Sequence, residues 1–255
     1  KQYQQYNYLA KQFPIVYYPS ASLFCQQAEK GFTQNSPENK QILVVANTTL
    51  KSENNKTSPT YFDILNGVTP SNPPVLESTD IKPVFAPYKA ANLNILQQSQ
   101  ASEEKLKQIK LQDYQYLHFA TPLALQTTQP QLSGFLLNGH QNGNALLTIP
   151  EINALKPKAE LITIPFTYHP NNQPPNGQEI FGLQYGLMES GIDAALIGLW
   201  MPGTKEANHF FTPFYADLAK GVSKHHALQN AQIQFIDSTD FANPIYWGGI
   251  TLTGK

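Results

Sequence analysis

Two short segments carry the side chains with the most chemical potential. One reads YLHFATP and places His118 four residues before Pro122. The other reads IPFTYH and places a hydroxyl at Thr167 two residues before an imidazole at His169. A hydroxyl beside an imidazole is the raw material of nucleophilic catalysis, because the ring can take the hydroxyl proton as the oxygen attacks a carbonyl. A thiol would need less help, being partly ionised near neutral pH. The only cysteine, Cys25, lies in neither segment. It can form no intrachain disulfide and no cysteine-based metal site. His140, His209, His225 and His226 have no metal-like spacing with a carboxylate, so neither a metal nor a cofactor is expected.

The elements around these segments alternate. Gln41–Ala46 is a short β-branched run that reads as a buried parallel strand, and Ile15–Tyr18 is a shorter extended segment whose neighbours Ser20 or Ser22 can cap a helix. Residues 47–83 are rich in Asn, Ser, Thr and Pro and read as a long surface excursion. Leu93–Leu96 is a further strand. Ser102 caps a helix to about Ile109, with Glu103 and Glu104 in its first turn. Tyr116–Ala120, Leu161–Ile164 and Ala194–Trp200 read as strands, and Gly134–Leu137 as a short strand or hairpin. Helices are expected from Ile149 to about Leu155, with Pro150 in the first turn, and from about Gln178 to Ser190, closed by Gly191. Two more run from Ala207 to about Lys220, closed by Gly221, and from Lys224 to Phe235. A last strand covers Ile245–Leu252. Strands alternating with helices argue for an α/β domain with a mostly parallel sheet. One domain over residues 1–255 is the expectation.

Composition narrows the function. The chain has 255 residues, 41% of them hydrophobic, enough for a large core. Net charge is −1 and there is no arginine, so guanidinium readout of bases and bidentate grip on phosphate are excluded, and nucleic acid is not an expected partner. No apolar run is long enough to span a bilayer. A single cysteine fits a reducing compartment, which favours a cytoplasmic location and leaves secretion open. The sequons at Asn47 and Asn55 would matter only on a eukaryotic secretory route.

Residues 181–254 carry a family resemblance. FGLQYGLMESGIDAALIGLW, FYADLAKGVSKHHALQNAQ and NPIYWGGITLTG are similar to the GEGxxGL helix, GAxxVxxSLW strand, FYxxLxxGxxxxxALxxAQ helix and YWxxFxLxG strand of the CHAT domain. That is the caspase-like peptidase module often found beside TPR repeats. YYPSASLF resembles the family's YVPSxSLL segment, and QILVVAN the strand after it. The family's usual first strand and PDGxLxxLPFxAL-like segment have no counterpart, so a first N-terminal segment is expected to be missing. The resemblance implies a caspase-haemoglobinase-like three-layer α/β/α sandwich, with the active site at the strand C-terminal ends, as open parallel sheets prefer.

The same resemblance locates a catalytic dyad, and this chain departs from it. The family's HFATHG places its base where this chain has Pro122, and its LSACxT places the nucleophile at Thr167. His118 matches the motif's first histidine, inside the strand, where a hydrogen-bonded structural role is the usual one. A degenerate site follows: a pseudo-peptidase that binds a protein partner or helical-repeat segment, or copies of itself, as a regulatory or assembly scaffold. Two alternatives remain open: a residual peptidase using Thr167 with a relocated His118 or His169, and a self-assembling structural subunit recruited through an unpaired sheet edge. Trp200 and Trp247 are expected to be packing residues. The glycine-bearing turn from Gly177 to Gly182 is explained by helix initiation alone.

Overall fold

Strict alternation along each strand decides which side chain faces which layer. The computed structural model describes residues 2–29, 39–46, 80–126, 132–138, 146–168, 177–200 and 203–255. Its larger sheet contains β1 (Ile42–Ala46), β2 (Leu93–Gln97), β3 (Tyr116–Ala120), β7 (Leu161–Ile164), β9 (Ala194–Gly198) and β10 (Ile250–Gly254), in the order β10-β9-β7-β3-β1-β2. Every pairing is parallel except that of β10 with β9. A smaller sheet, ordered β6-β5-β4-β8, contains β4 (Leu123–Ala124), β5 (Gly134–Leu136), β6 (Leu146–Thr148) and β8 (Thr167–Tyr168). β4 and β8 continue the lines of β3 and β7 beyond their C-terminal ends and pair in parallel there.

Two apolar layers result. Ile42, Val44, Tyr116, Leu161, Leu196 and Leu252 face one side, and Leu43, Val45, Leu117, Ile162, Ala195 and Ile197 face the other. On the first face lie α6 (Thr204–Ala219) and α7 (Lys224–Asp237). On the second lie α3 (Glu103–Lys107), α4 (Ile149–Ala154) and α5 (Gln178–Glu189). Helices on both faces of a mostly parallel sheet make this a three-layer α/β/α arrangement. α6 packs through Phe210, Phe211, Phe214, Tyr215 and Leu218, all buried. Each such side chain contributes roughly 1.5–3 kcal/mol on leaving water. The aromatic run of α6 is therefore core.

Local signals work as the residue types dictate. Ser20 Oγ accepts from Leu23 N–H at 3.2 Å, at the start of α2 (Ala21–Glu29), and Ser102 Oγ accepts from Lys105 N–H at 3.3 Å. Gly191 and Gly221 close their helices with φ of 101° and 84°, the left-handed conformation glycine adopts without steric cost. Thr148 and Glu151 form a capping box ahead of α4, a pair with the right spacing in the sequence but not read from it.

Several boundaries move. The excursion ends earlier than expected: Ile81, Val84 and Phe85 are buried, because a 3-10 turn at Lys82–Phe85 docks against α6. Residues 47–79, including both sequons, lie outside the described residues. α3 stops at Lys107, short of Ile109, and α6 begins at Thr204, ahead of Ala207. The last strand starts at Ile250, because Pro244–Tyr246 forms a 3-10 turn capped by the Asn243 side chain. The Ile15–Tyr18 segment is held to the sheet by one bridge, Tyr17 beside Thr253, and forms no longer ladder.

Candidate functional site

The register of the smaller sheet brings the two dyad positions together. Leu123 pairs with Thr167, and Leu123 N–H donates to Phe166 O at 2.9 Å. Pro122 and Thr167 thus flank the same junction at the strand C-terminal ends. Pro122 is buried, with Thr121 before it and Leu123 after it also buried. The Pro122 carbonyl accepts Leu136 N–H at 2.9 Å, and the Thr121 hydroxyl donates to the Leu136 carbonyl. Proline has neither a proton-accepting side chain nor an N–H, and the next N–H is already spent on Phe166. A developing oxyanion here would lack a donor from Leu123.

Thr167 is half-buried, and its hydroxyl lies 3.0 Å from the Gly198 carbonyl and 2.8 Å from the Leu199 carbonyl. It ties β8 to the end of β9. A carbonyl oxygen is too weak a base to take that proton in a transition state, so these contacts hold the hydroxyl without activating it.

His118 is in another place. It pairs in register with Thr163, four residues before Thr167, which is roughly 13 Å along an extended chain. It faces α6 and is 1% exposed. Phe85, Phe211 and Tyr215 ring it, with centroids 5.3, 5.5 and 5.6 Å away. His118 Nδ1 is 3.0 Å from the Tyr215 hydroxyl, which donates to Thr163 Oγ1 at 2.9 Å. With the tyrosine proton on Thr163, His118 donates from Nδ1. Burial lowers the imidazole pKa to about 3, so the ring is neutral at physiological pH. Burial also pushes the Tyr215 phenol well above its ordinary value, so it stays protonated.

The other described histidines have partners elsewhere. His209 meets the rings of Phe235 and Phe241 at tilted angles, and His225 and His226 share the Ser223 hydroxyl at 3.1 and 2.9 Å. His169 and His140 lie outside the described residues. Among the described residues, no three of His, Cys, Asp and Glu gather into a group that could hold a metal ion, and no helix is long and apolar enough to cross a membrane.

The two tryptophans behave differently. Trp247 packs as expected: it is buried, its Nε1–H donates to Ala242 O at 3.2 Å, and its ring meets Tyr8. Trp200 corrects the expectation, being 46% exposed. Its Nε1–H donates to Ile245 O at 3.0 Å, and its ring lies over Gly249, where an added Cβ would come within 2.7 Å. Its chain neighbour Leu199 supplies a carbonyl that holds Thr167. A strand reading that extended to Trp200 hid its exposure, since β9 ends at Gly198. Gly177 opens α5 with φ of 89°, and a Cβ there would meet nothing within 4 Å. Its glycine is required by backbone conformation, in line with helix initiation.

No curated protein matches this chain. The family model for the CHAT domain matches residues 1–255. With a six-stranded, mostly parallel sheet between helical layers, the chain belongs to the CHAT-domain family, which is related to caspase-like peptidases.

Proposed function

We propose that this chain is a caspase-like pseudo-peptidase that serves as a protein-binding scaffold. The carrying observation is the Thr167 hydroxyl, held by the Gly198 and Leu199 carbonyls beside a buried proline. A threonine oxygen attacks a carbonyl only when a positioned base removes its proton. Pro122 offers none, and His118 is sealed under α6 as a neutral structural ring. Trp200, which follows the Leu199 that holds Thr167, and Ile245, whose carbonyl accepts the Trp200 Nε1–H, are both exposed and support binding near these strand ends. The partner is a protein segment, since the chain lacks the arginines that would favour phosphate-rich ligands.

The test is turnover. The full chain is incubated with a mixed-P1 peptide library and, separately, with an electrophilic peptide probe. No cleavage and no covalent label are expected. Cleavage that disappears in Thr167→Ala would refute the proposal and establish the altered-peptidase reading, with His169 as the base to examine next.

A further inference from the structure

Ten large hydrophobic side chains are exposed among the described residues, and six of them fall in the first 24 positions: Tyr3, Tyr6, Leu9, Phe13, Tyr17 and Phe24. α1 (Leu9–Gln12) turns Ala10 toward the protein and Leu9 toward water, and Tyr6 and Phe13 stand exposed in extended backbone on either side of it.

The arm that carries them is held firmly. Gln4 Nε2 donates to the carbonyls of Asp237 at 3.0 Å and Ser238 at 2.6 Å, and Gln229 Nε2 donates to Ala10 O at 3.0 Å. Tyr8 meets Trp247 edge-on at 4.9 Å. Tyr17 N–H donates to Leu252 O at 2.8 Å, and Gly254 N–H to Tyr17 O at 3.1 Å. Tyr18 packs edge-on against Phe24 at 5.0 Å, joining α2 to the extended segment. A surface fixed in advance loses little entropy on association.

We infer that this N-terminal face is a homodimer interface, its occupant a second copy of the same chain. Charge is the first argument. Residues 2–26 contain one charged side chain, Lys11, and it is paired with Asp237 at 2.6 Å. The face therefore meets its own image without like-charge repulsion, and a strongly charged partner would find nothing to pair with. Area is the second. An aromatic side chain offers about 150–250 Å², so five half-exposed aromatics and a leucine present on the order of 600 Å² per protomer. With the polar residues between them, that approaches the roughly 800 Å² each partner buries in a standard interface. The contact is made by side chains, not by strand addition, because Pro14 and Pro19 flank the extended segment and blunt it as a template. The inference does not depend on whether Thr167 is active.

The test is sedimentation velocity of the full chain across a dilution series spanning nanomolar to high-micromolar concentration. A species of about twice the 28.4 kDa chain mass is expected to dissociate on dilution. Leu9→Asp with Phe13→Asp should raise the dissociation constant at least about a hundredfold, with the far-ultraviolet spectrum unchanged. Phe24→Asp, on a different helix, should raise it too and serves if the double variant fails to fold. Phe181→Asp with Tyr185→Asp, on the exposed side of α5, should leave it unchanged. A monomer at every concentration overturns the inference. So does a dimer that survives the folded N-terminal variants.

Discussion

Mild acid should destabilise this protein through a single ring. His118 binds its proton near pH 6.5 in the unfolded chain, but burial lowers that pKa to about 3 in the folded state. The sign follows: the unfolded chain takes up a proton that the folded one refuses, so stability is full above the unfolded value and is lost as pH falls toward the folded one. The ring is 1% exposed, so solvent screening does not reduce the effect. Between about pH 7.5 and about pH 5, one such site costs about 2 kcal/mol, most of it below about pH 6.5, where the slope approaches about 1.4 kcal/mol per pH unit. Urea unfolding at the two pH values measures it. His118→Gln, which cannot titrate, should be less stable than the wild-type chain at the higher pH and lose about 2 kcal/mol less on acidification. His225, also lowered by burial, acts in the same direction but is common to both proteins and cancels in the comparison. Equal losses in wild type and variant would refute the structural, neutral reading of His118.

Three further outcomes are expected. Tyr215→Phe removes the hydroxyl between His118 and Thr163, leaves both buried partners short of a bond, and should cost about 1–3 kcal/mol in urea unfolding. Gly249→Ala places a methyl within 2.7 Å of the Trp200 ring. It should cost about 1 kcal/mol and raise acrylamide quenching of tryptophan fluorescence, while buried Trp247 stays protected; unchanged quenching would show that the ring does not rest there. Lys40→Met strands Glu160, whose carboxylate lies 2.5 Å from Lys40 Nζ in a pair 5% and 18% exposed, and should cost roughly 3 kcal/mol by urea titration.

What the sequence revealed and what it hid differ in physical kind. Buried parallel strands announce themselves as unbroken apolar runs, so Ile42–Ala46, Tyr116–Ala120 and Leu161–Ile164 were legible within a residue. Gly191 and Gly221 marked helix ends because only glycine takes the left-handed turn cheaply. The positions Pro122 and Thr167 were found by resemblance, and their meeting required the parallel pairing of β4 with β8, two residues each, too short to leave a periodic signal. Burial of Ile81, Val84 and Phe85 was hidden because a 3-10 turn within a polar stretch has no apolar repeat. Trp200 was misread because a strand's last apolar residue and a solvent-facing platform have the same letter. In the N-terminal arm the extended segment and the helix after Ser20 were legible, but the exposed apolar residues before them lie in short, irregular backbone that leaves no periodic signal.

The geometry also bears on how far the proposed inactive state lies from an active one. A dyad needs a base with room to move and donors left free for an oxyanion. Around Pro122 the chain has removed both conditions. Thr121, Pro122 and Leu123 are buried, the Pro122 carbonyl is bound by Leu136, and Leu123 N–H is bound to Phe166. A histidine at 122 would have to enter packed space or break that pairing, and a cysteine at 167 would give up the hydroxyl that joins β8 to β9. In the proposed inactive state, the groups at this junction hold the two sheets together. His118 does separate work: at the last paired position of β3 and β7, four residues short of the junction, it meets the Tyr215 hydroxyl that joins it to Thr163 beneath α6. Its burial and its bond to Tyr215 assign it to the core and carry no weight for catalysis.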